Sequence, residues 1–324
     1  MNKSLLLILF MLGGLTSIHN TYGQQNYLEY HREVIKCEQL IVDRQYKEAI
    51  ANFELLFERF DFVFLREIKV VAQLCAFEME LDSGMKYLRM GISNGWTLKS
   101  IKKEISTYQD AVGWKKLQSE YKTLHQTYLD GLNISLKEEV HEMYKKDQKK
   151  ALGALFKIGQ KAQDKYAEKK FAAHSEIQFE KLHTIFDEYG YPGEKIIGNN
   201  WWVSVILSHH NSISEEYNSK DTLYASIKPK LRRALENGEV SPYTLATIED
   251  WRTAALSGHS KTTYGFLGEI ANPTLLQTVN TNRTAMGIRS IELRNALLGI
   301  EKETEMDLFL LKDWKKGEIK VVNP

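Results

Sequence analysis

The stretches YKEAIANFELLFERF (residues 46–60) and LDSGMKYLRMGISNG (residues 81–95) share one spacing of small and large apolar residues. The matching pairs each lie 35 residues apart: Ala49 and Gly84, Phe53 and Leu88, and Leu56 and Gly91. Steps of three and four residues place these side chains on one face of a helix, where small residues let a second helix approach closely. The pattern therefore predicts a repeat of paired helices in the N-terminal part of the chain.

Helical periodicity also precedes and separates these two stretches. The first helix carries its apolar stripe on Tyr30, Val34, Cys37 and Ile41, and the third carries its stripe on Ile68, Val71, Leu74 and Cys75. We expect a break at Asp82–Gly84 before the fourth helix, and an end of that helix at Asn94–Gly95. Four helices in two pairs follow from these signals.

A period of about 34 residues in helix–turn–helix units resembles the tetratricopeptide repeat. The resemblance covers about residues 27–96, although the usual Trp and Pro landmarks are missing, and an ordinary helical bundle with coincidental spacing is the alternative. The following segment, with Trp96 and Trp114, is expected to cap the last repeat. Because such arrays form concave surfaces, the resemblance implies that this part docks a protein partner.

The first 23 residues have the three-part layout of a secretory signal peptide. Lys3 precedes an apolar run from Leu5 to Leu15, and Thr21-Tyr22-Gly23 forms a small-x-small end. The run is shorter than the roughly 20 residues that span a bilayer. We therefore expect an exported protein, periplasmic or extracellular, without stable membrane insertion after cleavage; an uncleaved N-terminal anchor is the alternative.

Composition narrows the possible partners and the redox chemistry. The 324 residues are 43% hydrophobic and 26% charged, which suits a folded protein with a full core. Lys and Arg total 43 and Asp and Glu 42, so no strong field would recruit nucleic acid or anionic lipid. The two cysteines, Cys37 and Cys75, are either buried thiols or a single disulfide bridge formed in an oxidising compartment.

The remaining pattern predicts a mostly α fold, in which a short helical-repeat segment precedes a C-terminal helical domain with irregular loops. The expected divisions are a signal peptide at 1–23, the repeat with its cap at 24–130, a helical connector at 131–176, a second domain at 177–300 and a tail at 301–324. Ser241 followed by Pro242 is a helix-start signal. A loop is expected from Ser257 to Pro273, and a last helical region at about Thr284–Gly299.

A series of short motifs extends over about residues 179–297. In chain order they are Tyr189–Pro192, Gly198, His209-His210, Gly238-Glu239-Val240, Asp250 with Arg252, Tyr264-Gly265, and Arg283 with Gly287-Ile288. Together these motifs resemble a bacterial domain of unknown function, number 6624. The chain departs from that pattern where Trp251 separates the acid from the Arg, and where Ser208 or His209 replaces a Gln beside the His. No activity is assigned to the family, so the resemblance implies a domain and not a reaction.

Six residues of the second domain are candidates for a functional site: His209, His210, Asp250, Arg252, Tyr264 and Arg283. Either histidine would act as a general acid or base, with Asp250 orienting its ring. Arg283 and Arg289 would bind a carboxylate or phosphate, with surface ion pairing as the alternative, and Tyr264 would donate a hydrogen bond to a ligand. The alternative is structural: a histidine satisfies backbone groups at a helix end, and Asp250 pairs with Arg252. No metal or other cofactor is predicted, since the metal-binding His-x-x-x-His spacing is missing.

Several catalytic motifs are missing from the sequence. It has no phosphate-binding loop or dinucleotide fingerprint, which argues against ATP or NAD chemistry. The leading hypothesis is a binding or scaffolding protein whose repeat docks a protein partner. The alternatives are a hydrolase-type or other enzyme at the His/Asp/Arg site, and a carbohydrate or envelope-polymer binder, which would need exposed Trp or Tyr side chains along a groove.

Overall fold

The computed structural model describes residues 26–267, 270, 272–310 and 317–321. The predicted signal peptide and part of the predicted tail lie outside these residues. Helices make up most of the described chain, which confirms the predicted fold class. The β structure of the described residues is one isolated parallel bridge between Ile270 and Val321. None of the described helices is both long and apolar enough to cross a membrane.

From residue 26 onward, the N-terminal half contains six helices: α1 (Tyr27–Val42), α2 (Tyr46–Arg59), α3 (Leu65–Phe77), α4 (Leu81–Ile92), α5 (Leu98–Glu104) and α6 (Trp114–Asp130). A 3₁₀ turn at Ser106–Asp110 precedes α6. Helices α1 to α4 pack successively on one another, and α4 also packs on α6. The predicted break at Asp82–Gly84 is wrong, because the chain turns at Met79 (φ 59°) and α4 already begins at Leu81.

Glycines on α4 lie where large side chains approach its backbone. A Cβ added to Gly84 would lie 1.7 Å from the Tyr108 hydroxyl, and one added to Gly91 would lie 2.7 Å from the Trp96 ring. Both aromatic side chains are buried. The small residues of the 35-residue pattern therefore make room for the segment that follows α4.

Ten helices lie in the rest of the chain that the structure describes: α7 (Ile134–Leu155), α8 (Gln160–Tyr166), α9 (Ala172–Tyr189), α10 (Glu194–Ile197), α11 (Trp202–Asn211), α12 (Glu215–Lys220), α13 (Leu223–Glu236), α14 (Pro242–Leu256), α15 (Pro273–Met286) and α16 (Ile291–Thr304). A π-helical turn at Ala167–Phe171 joins α8 to α9. The Ser241 hydroxyl accepts from the Thr244 N–H at the start of α14, which confirms the predicted start. The last helical region, predicted at about 284–299, consists of parts of two helices, because Gly287 (φ 79°) ends α15 and α16 begins at Ile291.

Two large apolar cores hold the molecule together. The first joins α1 to α4 with side chains near the C-terminus: Leu293, Leu297, Ile300, Met306, Leu308 and Leu310. The second lies mainly among α7, α9, α11, α13 and α14. Helix α1 packs on α16 and on α13, so the first helix of the chain contacts both later regions.

The two cysteines belong to the first core. Cys37 in α1 and Cys75 in α3 are free, buried thiols, so the possible disulfide bridge is not formed. Burial raises the pKa of each thiol to about 12, which keeps both protonated at neutral pH. Both side chains therefore pack as small apolar groups.

Candidate functional site

His209 is positioned by a carboxylate that the sequence analysis did not consider. Its Nδ1 lies 2.5 Å from Oδ2 of Asp147, a fully buried residue on α7. An ionised carboxylate can only accept a hydrogen bond, so this pairing places the ring proton on Nδ1. The partly exposed ring lines a cleft of about 370 Å³ together with Trp251 and His259. The orienting residue is thus Asp147 and not the predicted Asp250.

His210 faces the interior, on the other side of α11. It is fully buried, with Nδ1 2.9 Å from the Ser175 hydroxyl and Nε2 3.4 Å from Oδ1 of Asp221. Arg252 lies 2.7 Å from the other oxygen of the same carboxylate. Burial opposes ionisation of Asp221, but His210 and Arg252 still hold the pKa of its carboxyl below the usual range. This buried cluster joins two of the predicted site residues in a structural role.

Asp250 organises the loop that follows α14. It is fully buried, and its two oxygens accept hydrogen bonds of 2.7 to 3.3 Å from five groups: the Thr262 hydroxyl and the N–H groups of Thr263, Tyr264, Phe266 and Leu267. Side-chain acceptors of this kind replace the regular hydrogen bonds that a loop lacks. The predicted ion pair with Arg252 is wrong, since Arg252 pairs with Asp221.

Tyr264 and Arg283 support the same loop. The Tyr264 hydroxyl donates a 2.9 Å hydrogen bond to Glu249. Buried Arg283 donates to the carbonyls of Tyr264 and Arg289 at 2.7 and 2.6 Å. Two main-chain carbonyls thus engage the guanidinium that was predicted to bind a ligand. The six predicted residues therefore form neighbouring structural clusters, and His209 lines a cleft.

Metal-binding groups do not accompany these residues. Among the described residues, no group of three or more His, Cys, Asp or Glu side chains is arranged to hold a metal ion.

A different site lies between the two halves of the chain, in a groove of about 420 Å³. Its walls come from both halves, and residues widely separated in sequence line it: His31, Arg66, Glu67, Lys69, Asn94, Tyr128, Glu194, Asn199, Trp201, Tyr243 and Phe309. We call it the interdomain groove. Ligand sites commonly lie at such boundaries between units of a fold.

A chain of paired charges lies beneath the groove. Arg66 contacts Glu38 at 2.8 Å and Glu67 at 2.9 Å, and Glu38 also lies 3.2 Å from Arg289. Arg289 in turn donates a 2.7 Å hydrogen bond to the Tyr243 hydroxyl. Buried charges are costly unless they are paired, and here each cation has a carboxylate partner.

Two polar atoms at the groove remain without a hydrogen-bond partner among the described residues. They are Nε2 of His31 and Oε2 of Glu67. Each side chain is more than nine-tenths buried, and each residue lines the groove. Burial, reinforced by Arg66, lowers the pKa of His31 to about 3, so the ring is neutral at physiological pH. Unsatisfied buried polar atoms cost free energy, and a ligand could satisfy these two.

Glu194 enters the groove from a glycine-rich turn. Gly190 has a φ of 78°, and a Cβ on Gly193 would lie 2.2 Å from the carbonyl oxygen of Glu239. This tight turn directs Glu194 to the start of α3, where its carboxylate accepts a 2.7 Å hydrogen bond from the Leu65 N–H. Burial raises the pKa of Glu194 to about 7, although the Leu65 bond opposes the shift.

Aromatic rings and amides form the walls of the groove. Trp201 is 48% exposed. The centroid of its ring lies 4.8 Å from that of Tyr144, and the two ring planes are inclined by 73°. The Asn199 side chain accepts from the N–H groups of Trp201 and Trp202, which fixes the start of α11. The Tyr128 hydroxyl donates a 3.4 Å hydrogen bond to the Gly198 carbonyl. A large ring is thus held in place with half its surface in water.

The groove residues were missed by the sequence analysis, although a signal was present. Glu38 lies beside Cys37 and Ile41 on the buried face of α1, and Glu67 lies beside Ile68 on that of α3. A carboxylate among apolar residues of a predicted helix face indicates a buried charge that needs a partner. The partners themselves, from other parts of the chain, gave no periodic signal.

Comparison with protein-family models, with curated proteins and with solved structures finds no match for this chain.

Proposed function

We propose that the protein is an exported binding protein whose ligand occupies the interdomain groove. The observation that carries this proposal is the pair of unsatisfied, buried polar atoms on His31 and Glu67, two residues that line the groove. A site prepared for a ligand holds polar groups that the free protein leaves unsatisfied. Export rests on the layout of residues 1–23.

Both halves of the chain contribute to this site, which favours the groove over the repeat surface alone. Helix α1 is packed against α13 and α16, so the second half covers part of the predicted repeat. His31 and Arg66 come from the first half, whereas Glu194 and Tyr243 come from the second. Docking of a protein partner on the remaining repeat surface stays a separate prediction.

The stability of the ligand-free protein tests this proposal before any ligand is known. His31→Phe replaces an unsatisfied polar ring with an apolar one inside an aromatic cluster that contains Tyr30 and Phe64. We expect this variant to be more stable than the wild type by about 1 kcal/mol, because functional sites sacrifice stability. Urea unfolding of the mature chain (residues 24–324) measures the change.

The matched control is Glu38→Ala, which removes the shared partner of Arg66 and Arg289. We expect a loss of about 3 kcal/mol, because it leaves buried Arg289 without the carboxylate that it contacts and Arg66 with Glu67 alone. If His31→Phe also lowers the free energy of unfolding by more than about 1 kcal/mol, His31 is a structural residue and the proposal fails.

A second candidate function is catalysis by His209, and the 2.5 Å contact with Asp147 beside an open cleft favours it. With the proton on Nδ1, Nε2 of the neutral ring is the basic atom and could accept a proton from a substrate or water. The test is a screen of chromogenic esters, phosphate esters and glycosides. A hydrolysis that is lost in His209→Ala and reduced in Asp147→Asn supports the enzyme; turnover equal to that of the wild type in His209→Ala contradicts it.

A further inference from the structure

We propose that the ligand of the interdomain groove is an uncharged carbohydrate chain, with one sugar ring stacked on Trp201. This inference rests on the proposed function and adds the chemical class of the ligand. Three features of the groove carry it: the balance of charge, the kind of polar atom left unsatisfied, and the exposed aromatic ring.

The charges of the groove are already paired within the protein. Arg66 contacts Glu38 and Glu67, and Lys69 lies 2.9 Å from Glu104. An anionic ligand would have to compete with these carboxylates for its cations. A cationic ligand would meet Arg66 and Lys69 at the same wall. Glu194, with its pKa near 7, is only partly ionised at neutral pH. The groove therefore favours a ligand without net charge.

The unsatisfied atoms favour hydroxyl groups. Oε2 of Glu67 needs a donor, and Nε2 of His31 needs either a donor or an acceptor, depending on the tautomer. A hydroxyl group both donates and accepts, so it can satisfy either atom without bringing a charge into a buried site. Further uncharged polar side chains line the groove: Asn94, Asn199, Asn200, Ser241 and Thr244. A ligand with many hydroxyl groups matches this lining.

Trp201 supplies the apolar part of the site. Nearly half of its surface is in water, and the Tyr144 ring lies at 73° to the Trp201 ring rather than stacked on it. A pyranose ring has an apolar face of C–H groups that packs against such a ring, while its hydroxyls point to the rim. The volume of about 420 Å³ lies in the range of small-molecule sites and suits about two to three sugar rings.

The experiment titrates the mature chain (residues 24–324) with defined hexasaccharides and follows tryptophan fluorescence and heat. The uncharged probes are cellohexaose, laminarihexaose, xylohexaose, mannohexaose, maltohexaose and chitohexaose; hexagalacturonate and hexalysine are the charged comparators. We expect at least one uncharged probe to bind with a Kd between about 1 μM and 1 mM, the usual scale for a partly open polar site. We expect Trp201→Ala to weaken that binding at least tenfold, and Trp201→Phe to restore part of it.

The matched control is Phe156→Ala, which removes another exposed aromatic side chain, 82% exposed and outside the groove. It should bind like the wild type. The inference is overturned if none of the uncharged probes binds, if only a charged comparator binds, or if Trp201→Ala binds as tightly as Phe156→Ala. In those cases a stabilising His31→Phe substitution still supports a ligand site of another class, whereas a destabilising one removes the proposed function as well.

Discussion

The Leu65 N–H donates a 2.7 Å hydrogen bond to the Glu194 carboxylate, so a side chain of the second half caps a helix of the first. Helix α3 has no side-chain cap from its own N-cap residue, Phe64. The first N–H groups of a helix need an acceptor, and a carboxylate there also interacts favourably with the helix dipole. The contact therefore links the two walls of the groove through one titratable group.

Glu194→Gln should change the pH dependence of stability. The folded-state pKa of about 7 lies above the ordinary value of 4.5, so this group stabilises the fold at low pH, and that contribution is lost as pH rises through 7. Glutamine keeps an acceptor for Leu65 and cannot ionise. The full shift corresponds to about 3 kcal/mol, and we expect about 2 kcal/mol because the site retains solvent contact.

Urea unfolding at pH 5 and pH 8 measures this effect. The unfolding free energy of Glu194→Gln minus that of the wild type should be larger at pH 8 than at pH 5. Glu138→Gln, an exposed position on α7, is the control and should show the same difference at both pH values. If the unfolding free energies of Glu194→Gln and the wild type change equally with pH, the Glu194 carboxyl is ionised at both pH values.

Asp250→Ala should destabilise the protein strongly. Substitution leaves the Thr262 hydroxyl and four backbone N–H groups of the loop without their acceptor. Each charged hydrogen bond contributes about 1.5–3 kcal/mol without simple additivity, so we expect a total loss of about 3–5 kcal/mol. Asp110→Asn, at an exposed position, should change stability by less than about 0.5 kcal/mol.

Limited proteolysis gives the local readout for the same variants. Cleavage within residues 257–267 should accelerate in Asp250→Ala and remain slow in Asp110→Asn. If the loop of Asp250→Ala is cleaved at the wild-type rate, the conformation of the loop does not depend on the Asp250 carboxylate.

Local signals in the sequence predicted the local parts of the fold. The Ser241–Pro242 start is encoded by neighbouring residues, because the cap forms within one turn. The helical stripe of Tyr30, Val34, Cys37 and Ile41 is buried as its periodicity indicated. The break at Asp82–Gly84 was wrong because Gly84 serves close packing against Tyr108 rather than a turn, and a glycine in the sequence does not distinguish these uses.

The candidate site depended on contacts that periodicity cannot show. His209 meets Asp147 across 62 residues of chain, and neither position stands out in its helical stripe. Asp250 was assigned to the histidines because of its charge, whereas its oxygens bind backbone N–H groups that any loop sequence carries. The groove takes His31 from α1 and Glu194 from the second half of the chain, and only the packing of distant segments brings both residues to it.

Arg252→Met should show how the buried charge of Asp221 depends on its partner. The Asp221 side chain is 1% exposed and lies between Arg252 and His210. Loss of the arginine leaves the carboxylate with His210 and the N–H groups of Leu223 and Tyr224, and breaking a buried pair in this way costs about 3–5 kcal/mol. Chemical unfolding at pH 7 is the measurement.

Two comparisons make the result specific to that pair. Adding Asp221→Asn to Arg252→Met should recover part of the loss, because the buried charge is removed with its partner. Lys220→Met breaks a surface pair with Glu216, both side chains being more than 70% exposed, and should cost less than about 0.5 kcal/mol. A loss no larger for Arg252→Met than for Lys220→Met would contradict the role of the cluster.

Gly84→Ala tests why the 35-residue pattern carries a glycine in α4. The added methyl carbon would lie 1.7 Å from the Tyr108 hydroxyl, which donates a 2.8 Å hydrogen bond to the Ala72 carbonyl and is buried. The ring cannot move without breaking that bond, so we expect a loss of about 2 kcal/mol despite the better helix propensity of alanine. Gly299→Ala, on α16 with open space at the new carbon, should instead gain about 0.5–1 kcal/mol.

Combining Gly84→Ala with Tyr108→Phe, which removes the clashing oxygen, should be less destabilising than the sum of the single changes in a double-mutant cycle. Additive effects would show that helix α4 and the tyrosine adjust independently.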